Sequence, residues 1–120
     1  MSDTSPVSAV AFDRLGEVMK GIEGVHVRQL APFTTLLVRT TNTLYRVVIT
    51  QGAEVYVQGG AFFPETTRAY LDGASIGGSS IRVGWIGVGF LVEFRRGSRR
   101  IITSPVRAIT TLNRSAVSPC

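Results

Sequence analysis

The segment from Ile81 to Ile109 contains two runs of strand-forming residues on either side of the dipeptide Gly97-Ser98. A Gly-X dipeptide between two such runs is typical of a type II′ turn, which joins the strands of a β-hairpin. In that register Phe94 lies opposite Ile101. The sequence therefore predicts one long hairpin, around which the remaining strands are arranged.

Four shorter runs with strand-like alternation precede this hairpin, at Val25–Leu30, Thr34–Arg39, Leu44–Thr50 and Glu54–Gln58. The last two are separated by Gln51-Gly52-Ala53. A loop of these three residues puts the apolar side chains of both strands on one face, namely Tyr45, Val47, Ile49, Val55 and Val57. A two-residue loop would instead place Glu54 beside Ile49. Since one face of the sheet must be buried, we expect the three-residue register.

The pattern is less regular between these strands and the long hairpin. Gly59–Glu65 is expected to leave the sheet, because two glycines and a proline disfavour a strand there. Thr66–Leu71 fits either one helical turn or an edge strand. Asp72–Ser80 contains three glycines and is expected to be a loop.

An amphipathic helix is predicted for residues 8–22, because its apolar residues recur at helical spacing: Phe12, Leu15, Val18, Met19 and Ile22. We expect a single domain of residues 1–120 that is mainly β. Its predicted form is a small antiparallel β-barrel or roll of six to seven strands, SH3-like or split-barrel in type, with one N-terminal α-helix. Residues 1–7 are expected to be a loose lead-in, residues 25–110 the barrel and residues 111–120 a flexible tail.

Positive charge is concentrated near the predicted turn. After Gly73 the chain has seven arginines and one acidic residue, Glu93. The candidate polyanion-binding residues are Arg95, Arg96, Arg99, Arg100, Arg82 and Arg107. The hairpin register sets arginine opposite arginine at the tip, which destabilises a strand pair by some tenths of a kcal/mol. A bound polyanion such as nucleic acid would offset that cost. The alternative is a solvated turn whose charges prevent aggregation through the sheet edge.

Four aromatic residues are candidates for base stacking or for an interface between copies of the chain: Trp85, Tyr56, Phe62 and Phe63. Each of them also fits the hydrophobic core, where aromatic side chains contribute most of their buried area.

The sequence contains no catalytic constellation, so we expect neither an enzyme nor a cofactor. His26 is the single histidine and Cys120 the single cysteine, which leaves no metal site of these ligands. Asp72–Ser80 lacks the GK[ST] end of a phosphate-binding loop. Gly84–Gly89 precedes a strand rather than the helix of a dinucleotide-binding fingerprint.

The chain is expected to be cytoplasmic and to have no membrane partner. A lone cysteine at the C-terminus cannot form an intramolecular disulfide, and residues 1–20 lack the basic start and apolar core of a signal peptide. The most apolar window, Val83–Val92, is about half the length of a membrane-spanning helix.

Three runs of the chain resemble a family of small bacterial proteins of uncharacterised function: Val57–Glu65, Gly84–Gly89 and Thr103–Ile109. The resemblance covers about residues 34–110 and implies no activity.

Asp72–Gly78 is also similar to the D/N-x-S-x-x-G strand of PilZ domains. These are six-stranded barrels that bind cyclic di-GMP through this strand and a preceding RxxxR element. Here one extra residue separates Asp72 from Ser75. The RxxxR spacing occurs only after the loop, at Arg95–Arg99 and Arg96–Arg100.

Two functions fit these observations. The first is a non-enzymatic β-barrel binding module that engages nucleic acid or another polyanion through the arginine-rich hairpin tip. The alternative is a structural protein that self-associates as a homo-oligomer. Cyclic-dinucleotide binding follows only from the PilZ resemblance. Polyanion binding should weaken steeply with salt, whereas apolar self-association should persist.

Overall fold

A computed structural model describes residues 17–78 and 80–114 of the 120-residue chain. Within this part of the chain, no helix has the length and hydropathy needed to cross a membrane. A single 3₁₀ turn occupies Val27–Gln29 among the described residues. The remaining elements are the strands β1 (Glu17–Ile22), β2 (Gly24–His26), β3 (Thr35–Thr40), β4 (Leu44–Gln51), β5 (Glu54–Gly59), β6 (Phe63–Ser75), β7 (Ile81–Val83), β8 (Trp85–Gly87), β9 (Leu91–Arg96), β10 (Arg99–Ile102) and β11 (Val106–Arg114).

Nine of these strands form one antiparallel sheet in the order β1-β11-β3-β4-β5-β6-β9-β10, with β7 paired to β6. Strands β2 and β8 form a second sheet. The prediction of a mainly β, antiparallel fold is confirmed. The strands outnumber the six to seven expected. Within the described residues the main sheet is open rather than a closed barrel, because its edges β1 and β10 do not pair with each other.

Both registers predicted at hairpins are confirmed. Phe94 pairs with Ile101 across β9 and β10, and Val47 pairs with Val57 across β4 and β5. All four of these paired side chains are buried. Burial of one face therefore determines the register, since a slip by one residue would expose every one of these side chains.

The long hairpin predicted for residues 81–109 is confirmed only for β9 and β10, which pair with each other. The other strands of this segment pair elsewhere: β7 with β6, β8 with β2, and β11 with β1 and β3. Gly84 and Gly89 separate β7, β8 and β9 and have φ angles of 73° and 94°. These left-handed conformations change the chain direction and are accessible to glycine at little cost.

Strand β6 is thirteen residues long. Of the two alternatives for Thr66–Leu71 the structure shows a strand, which pairs on both sides and is not at an edge. Phe63–Glu65 and Asp72–Ser75, which were expected to leave the sheet or form a loop, also belong to β6. Pairing with β5 on one side, then with β7 and β9, outweighs the low strand propensity of Pro64 and Gly73. A Cβ atom at Gly73 would lie 2.1 Å from the carbonyl oxygen of Arg82, so glycine permits this close pairing.

Both predicted ends of the sheet need correction. Residues 17–22 of the predicted helix form β1, which pairs with β11 over six residues. The rest of that helix, residues 8–16, lies outside the described residues. Strand β11 continues to Arg114, so residues 111–114 belong to the sheet rather than to a tail. Pairing with β1 and β3 on its two sides explains this extension.

One hydrophobic core lies on the inner face of the main sheet. Ile101 of β10 and Ile109 of β11 belong to the same buried cluster, although their strands lie near opposite ends of the sheet order. The sheet is therefore strongly curved. Two backbone hydrogen bonds support the curvature: Val106 N–H donates to the carbonyl of Phe90 at 2.9 Å, and Gly89 N–H to that of Val106 at 2.8 Å.

Candidate polyanion-binding surface

The four arginines at the hairpin tip form two pairs. Arg96 pairs with Arg99 and Arg95 with Arg100, as the sequence predicts. The φ angle of Gly97 is 62° and that of Ser98 is negative, as in a type II′ turn. Directly opposite residues share a face of the sheet, so the two pairs lie on opposite faces.

Arg95 and Arg100 lie on the outer face, which is the face of the main sheet away from the core. Both have internal carboxylate partners. Arg95 donates two 3.2 Å hydrogen bonds to Asp72, and Arg100 Nε donates a 2.9 Å hydrogen bond to Glu93. The repulsion between these two arginines is therefore compensated within the chain. They are less available to an external anion than the sequence suggested.

Glu93 is 2% exposed, which is unusual for a carboxylate. The hydrogen bond from Arg100 lowers the pKa of this carboxyl, and burial acts in the opposite direction. Its second oxygen, Oε2, has no hydrogen-bond partner among the described residues. The contact with Arg100 adds a charge-assisted side-chain bond to the backbone pairing between edge strand β10 and β9.

Arg96 and Arg99 are both exposed, and no carboxylate of the described residues comes within 4.0 Å of either guanidinium. They face each other next to the turn. These two arginines are the uncompensated part of the predicted tip.

Arg82 and Arg107 do not extend this tip. The Arg82 guanidinium lies 4.3 Å from the ring centre of Trp85. Arg107 donates a 3.1 Å hydrogen bond from Nε to Thr41 Oγ1, in the turn between β3 and β4. Four of the six predicted arginines therefore lie together at the tip, whereas Arg82 and Arg107 contact residues outside it.

Phe63 is fully buried and packs edge-on against Phe94, with ring centres 5.4 Å apart. It belongs to the core, so its proposed role in stacking or at an interface is wrong. It is buried because it faces inward at the start of β6, where it pairs with Gly59.

Trp85 is partly buried by residues that pack around its ring. A Cβ atom at Gly24 or Gly87 would lie within 2.4 Å of its ring, so the indole packs directly on these two glycines. Phe90 meets it edge-on at 5.3 Å and Arg82 covers it. These contacts leave little of the ring for a nucleic acid base.

Two tyrosines are exposed on the outer face, each at 40%. Tyr56 pairs with Arg68, and Tyr70 pairs with Arg95. The Arg95 guanidinium lies 4.8 Å from the Tyr70 ring centre. Tyrosine and arginine therefore alternate across this part of β5, β6 and β9.

Tyr56 is among the aromatic residues predicted from the sequence, whereas Tyr70 is not. The sequence signal for Tyr70 is the alternation from Thr67 to Leu71, in which Ala69 and Leu71 are buried while Arg68 and Tyr70 are exposed. As a strand, this segment places Tyr70 on the same face as Arg68. Phe62, the remaining aromatic candidate, is 48% exposed in the loop before β6.

The residues that resemble the PilZ motif have other contacts here. Asp72 accepts both hydrogen bonds from Arg95, and Ser75 is buried. The two arginines of each RxxxR spacing lie on opposite faces, because Arg95 pairs with Arg100 and Arg96 with Arg99.

Among the described residues, no three histidine, cysteine, aspartate or glutamate side chains come together as metal ligands. Comparison with known proteins adds no family assignment: no family model, curated protein or solved structure matches the chain.

Proposed function

We propose that this protein is a non-enzymatic β-sheet module that binds a polyanion, specifically single-stranded nucleic acid. The observation that carries the proposal is the exposed Arg96–Arg99 pair, which has no carboxylate partner among the described residues. Arginines directly opposite each other repel, and a phosphate between them would remove the repulsion through charge-assisted hydrogen bonds.

The outer-face tyrosines favour single-stranded nucleic acid over other polyanions. A base stacked on an aromatic side chain contributes about 1–3 kcal/mol. Arg68 and Arg95, which neighbour these tyrosines, are paired with Glu54 and Asp72, so the phosphate contacts come from Arg96 and Arg99. Tyr56 and Tyr70 are exposed on the outer face, whereas Arg96 and Arg99 lie on the other face next to the turn, so a strand that contacts both sets passes around the hairpin tip. Heparin or polyphosphate would use the arginines but gain nothing from the tyrosines.

A second candidate function is self-association. Exposed apolar side chains support it, since several large ones exceed 40% exposure among the described residues: Phe33, Leu44, Phe62, Ile76, Val83 and Ile102. Edge strand β10 is short and carries arginines, features that discourage pairing with another sheet edge. An interface would therefore use apolar side chains rather than strand addition.

The test is fluorescence anisotropy of a labelled single-stranded 12-mer of mixed sequence at low salt. The double variant Arg96→Ser/Arg99→Ser should weaken binding about tenfold or more, the loss expected for two charge-assisted contacts. Tyr56→Ala/Tyr70→Ala should weaken binding of the 12-mer but leave heparin binding unchanged. Arg28 is an exposed arginine in the 3₁₀ turn, so Arg28→Ser is the matched control and should bind the 12-mer as the wild type does.

Unlabelled heparin and cyclic di-GMP serve as competitors in the same assay. Equal binding by the wild type and the Arg96→Ser/Arg99→Ser variant would refute the proposed role of the tip. Light scattering on the same samples tests the second candidate, which requires a stable oligomer that persists at high salt.

A further inference from the structure

The turn between β3 and β4 is fixed by hydrogen bonds within it. Thr40 N–H donates to the carbonyl of Thr43 at 2.8 Å, and Thr40 Oγ1 bonds both the carbonyl and the N–H of Thr43 at 3.1 Å. Thr40 is itself buried. This turn is therefore rigid compared with an ordinary exposed loop.

Two further hydrogen bonds join the turn to the connection between β10 and β11. Thr41 N–H donates to the carbonyl of Pro105 at 3.0 Å, and Asn42 N–H donates to Ser104 Oγ at 3.2 Å. The turn and the start of β11 therefore form one unit. An open cavity of about 350 Å³ lies at this unit, lined by Arg39 and residues 40–44.

A β-bulge brings a second arginine to the same place. Val106 pairs with Thr40 and Ala108 with Arg39, so Arg107 is an extra residue in β11 between these pairs. Bulges redirect side chains and are frequent beside binding sites. Here the Arg107 guanidinium reaches Thr41, which lines the cavity.

Neither Arg39 nor Arg107 is neutralised by a carboxylate of the described residues. Arg68, Arg95 and Arg100 each have a carboxylate within 4.0 Å, whereas Arg39 and Arg107 have none. The hydrogen bond from Arg107 to Thr41 uses only its Nε, so both terminal nitrogens keep donors for a ligand. Ala108, opposite Arg39, is too small to cover the Arg39 side chain.

From these observations we propose that the cavity at the β3–β4 turn binds a phosphate group, held by Arg39 and Arg107. Guanidinium groups suit phosphate because two parallel N–H donors match two phosphate oxygens. The hydroxyl and amide side chains of Thr43 and Asn42 also line the turn and supply further hydrogen-bonding groups. The site differs from the hairpin tip and does not depend on it.

The experiment is a titration of the ¹⁵N-labelled full-length chain with inorganic phosphate, at constant ionic strength and neutral pH. The amide signals of residues 40–44 are followed by NMR. They should shift in a saturable manner for the wild type, and Arg39→Gln or Arg107→Gln should weaken the affinity about tenfold. Arg96→Ser/Arg99→Ser should bind inorganic phosphate at residues 40–44 as the wild type does.

Adenosine monophosphate and two oligonucleotides, one with a 5′-phosphate and one with a 5′-hydroxyl, identify the source of the phosphate. Tighter binding of the 5′-phosphorylated oligonucleotide at residues 40–44 would assign the site to a nucleic acid end, whereas adenosine monophosphate that binds there more tightly than either oligonucleotide would assign it to a small phosphate compound.

The proposal is overturned if the signals of residues 40–44 do not shift up to about 10 mM phosphate, because binding weaker than that does not indicate specific contacts. Shifts that remain undiminished in Arg39→Gln/Arg107→Gln would also overturn it. The variant is expected to fold, since both side chains are exposed, and its spectrum outside residues 40–44 verifies this. Loss of oligonucleotide binding in Arg96→Ser/Arg99→Ser alone concerns only the hairpin tip.

Discussion

Arg100 Nε donates a 2.9 Å hydrogen bond to Oε1 of Glu93, and the two side chains differ greatly in exposure: that of Arg100 is 56% exposed and that of Glu93 is 3% exposed. The contact connects the last strand of the sheet to its neighbour. Because only one partner is buried, removing each partner has a different consequence.

Glu93→Gln should reduce the free energy of unfolding by about 1 kcal/mol, the value of one hydrogen bond, since Arg100 stays solvated. Arg100→Ser should reduce it more, because it leaves a buried carboxylate without its cationic partner. Urea unfolding measures both changes, with Arg99→Ser as the matched exposed control. A larger effect of Glu93→Gln than of Arg100→Ser would contradict this account.

The lowered pKa of Glu93 predicts a pH dependence of stability. The folded carboxyl has a pKa below its ordinary value of 4.5, so its ionised form stabilises the folded state above that pH. This contribution is lost as the pH falls through the lowered pKa. Between pH 7 and about pH 3, the free energy of unfolding of the wild type should fall by more than that of Glu93→Gln, as measured by urea unfolding. Equal losses would mean that another group controls acid sensitivity.

Phe33 occupies a position that suits glycine. Its φ is 68°, and its side chain is 77% exposed. The turn from Ala31 to Thr34 has Pro32 at its second position and Phe33 at its third, and the third position of a type II turn favours glycine. A left-handed conformation costs a residue with a Cβ about 1–2 kcal/mol.

Phe33→Gly should therefore be more stable than Phe33→Ala by roughly 1 kcal/mol, because both remove the ring and only glycine removes the strain. Chemical denaturation of the two variants provides the comparison. An alanine variant as stable as the glycine variant would show that the backbone is not strained there.

Gly73 should tolerate no side chain. A Cβ would clash with the carbonyl of Arg82 in β7, and its φ of 149° disfavours other residues. Gly73→Ala should lower the free energy of unfolding by about 3 kcal/mol or more. Gly52→Ala, at a φ of 61° with nothing within 4 Å of the new Cβ, is the control. Similar losses for both variants, measured by urea unfolding, would rule out the clash.

The sequence predicts the parts of this fold that depend on local alternation and turn chemistry. The register of Phe94 with Ile101 follows from the Gly97-Ser98 turn, and that of Val47 with Val57 follows from the need to bury one face. Residues 17–22 show the limit of this approach. Their apolar spacing fits a helix, yet six pairs with β11 make them a strand. Such pairing is a tertiary effect that local spacing does not contain.

The candidate site was predicted only in part for a similar reason. The register gave the arginine pairs at the tip correctly. It did not reveal that Asp72, from the preceding part of the chain, lies beside Arg95. The register also did not show that Arg107 lies apart from the hairpin tip, since a bulge in β11 directs it to Thr41. Contacts between segments distant in sequence decide which arginines stay uncompensated, and alternation alone does not report them.

The most direct test of the proposed function is the salt dependence of oligonucleotide binding. For a single strand, each neutralised phosphate contributes about 0.7 to the slope of log K against log salt concentration. Arg96→Ser/Arg99→Ser should therefore lower the magnitude of the wild-type slope by about 1.4. That result is predicted if both arginines contact phosphates. An unchanged slope, with affinity equal to that of the wild type, would contradict the assignment of the hairpin tip as a polyanion-binding site.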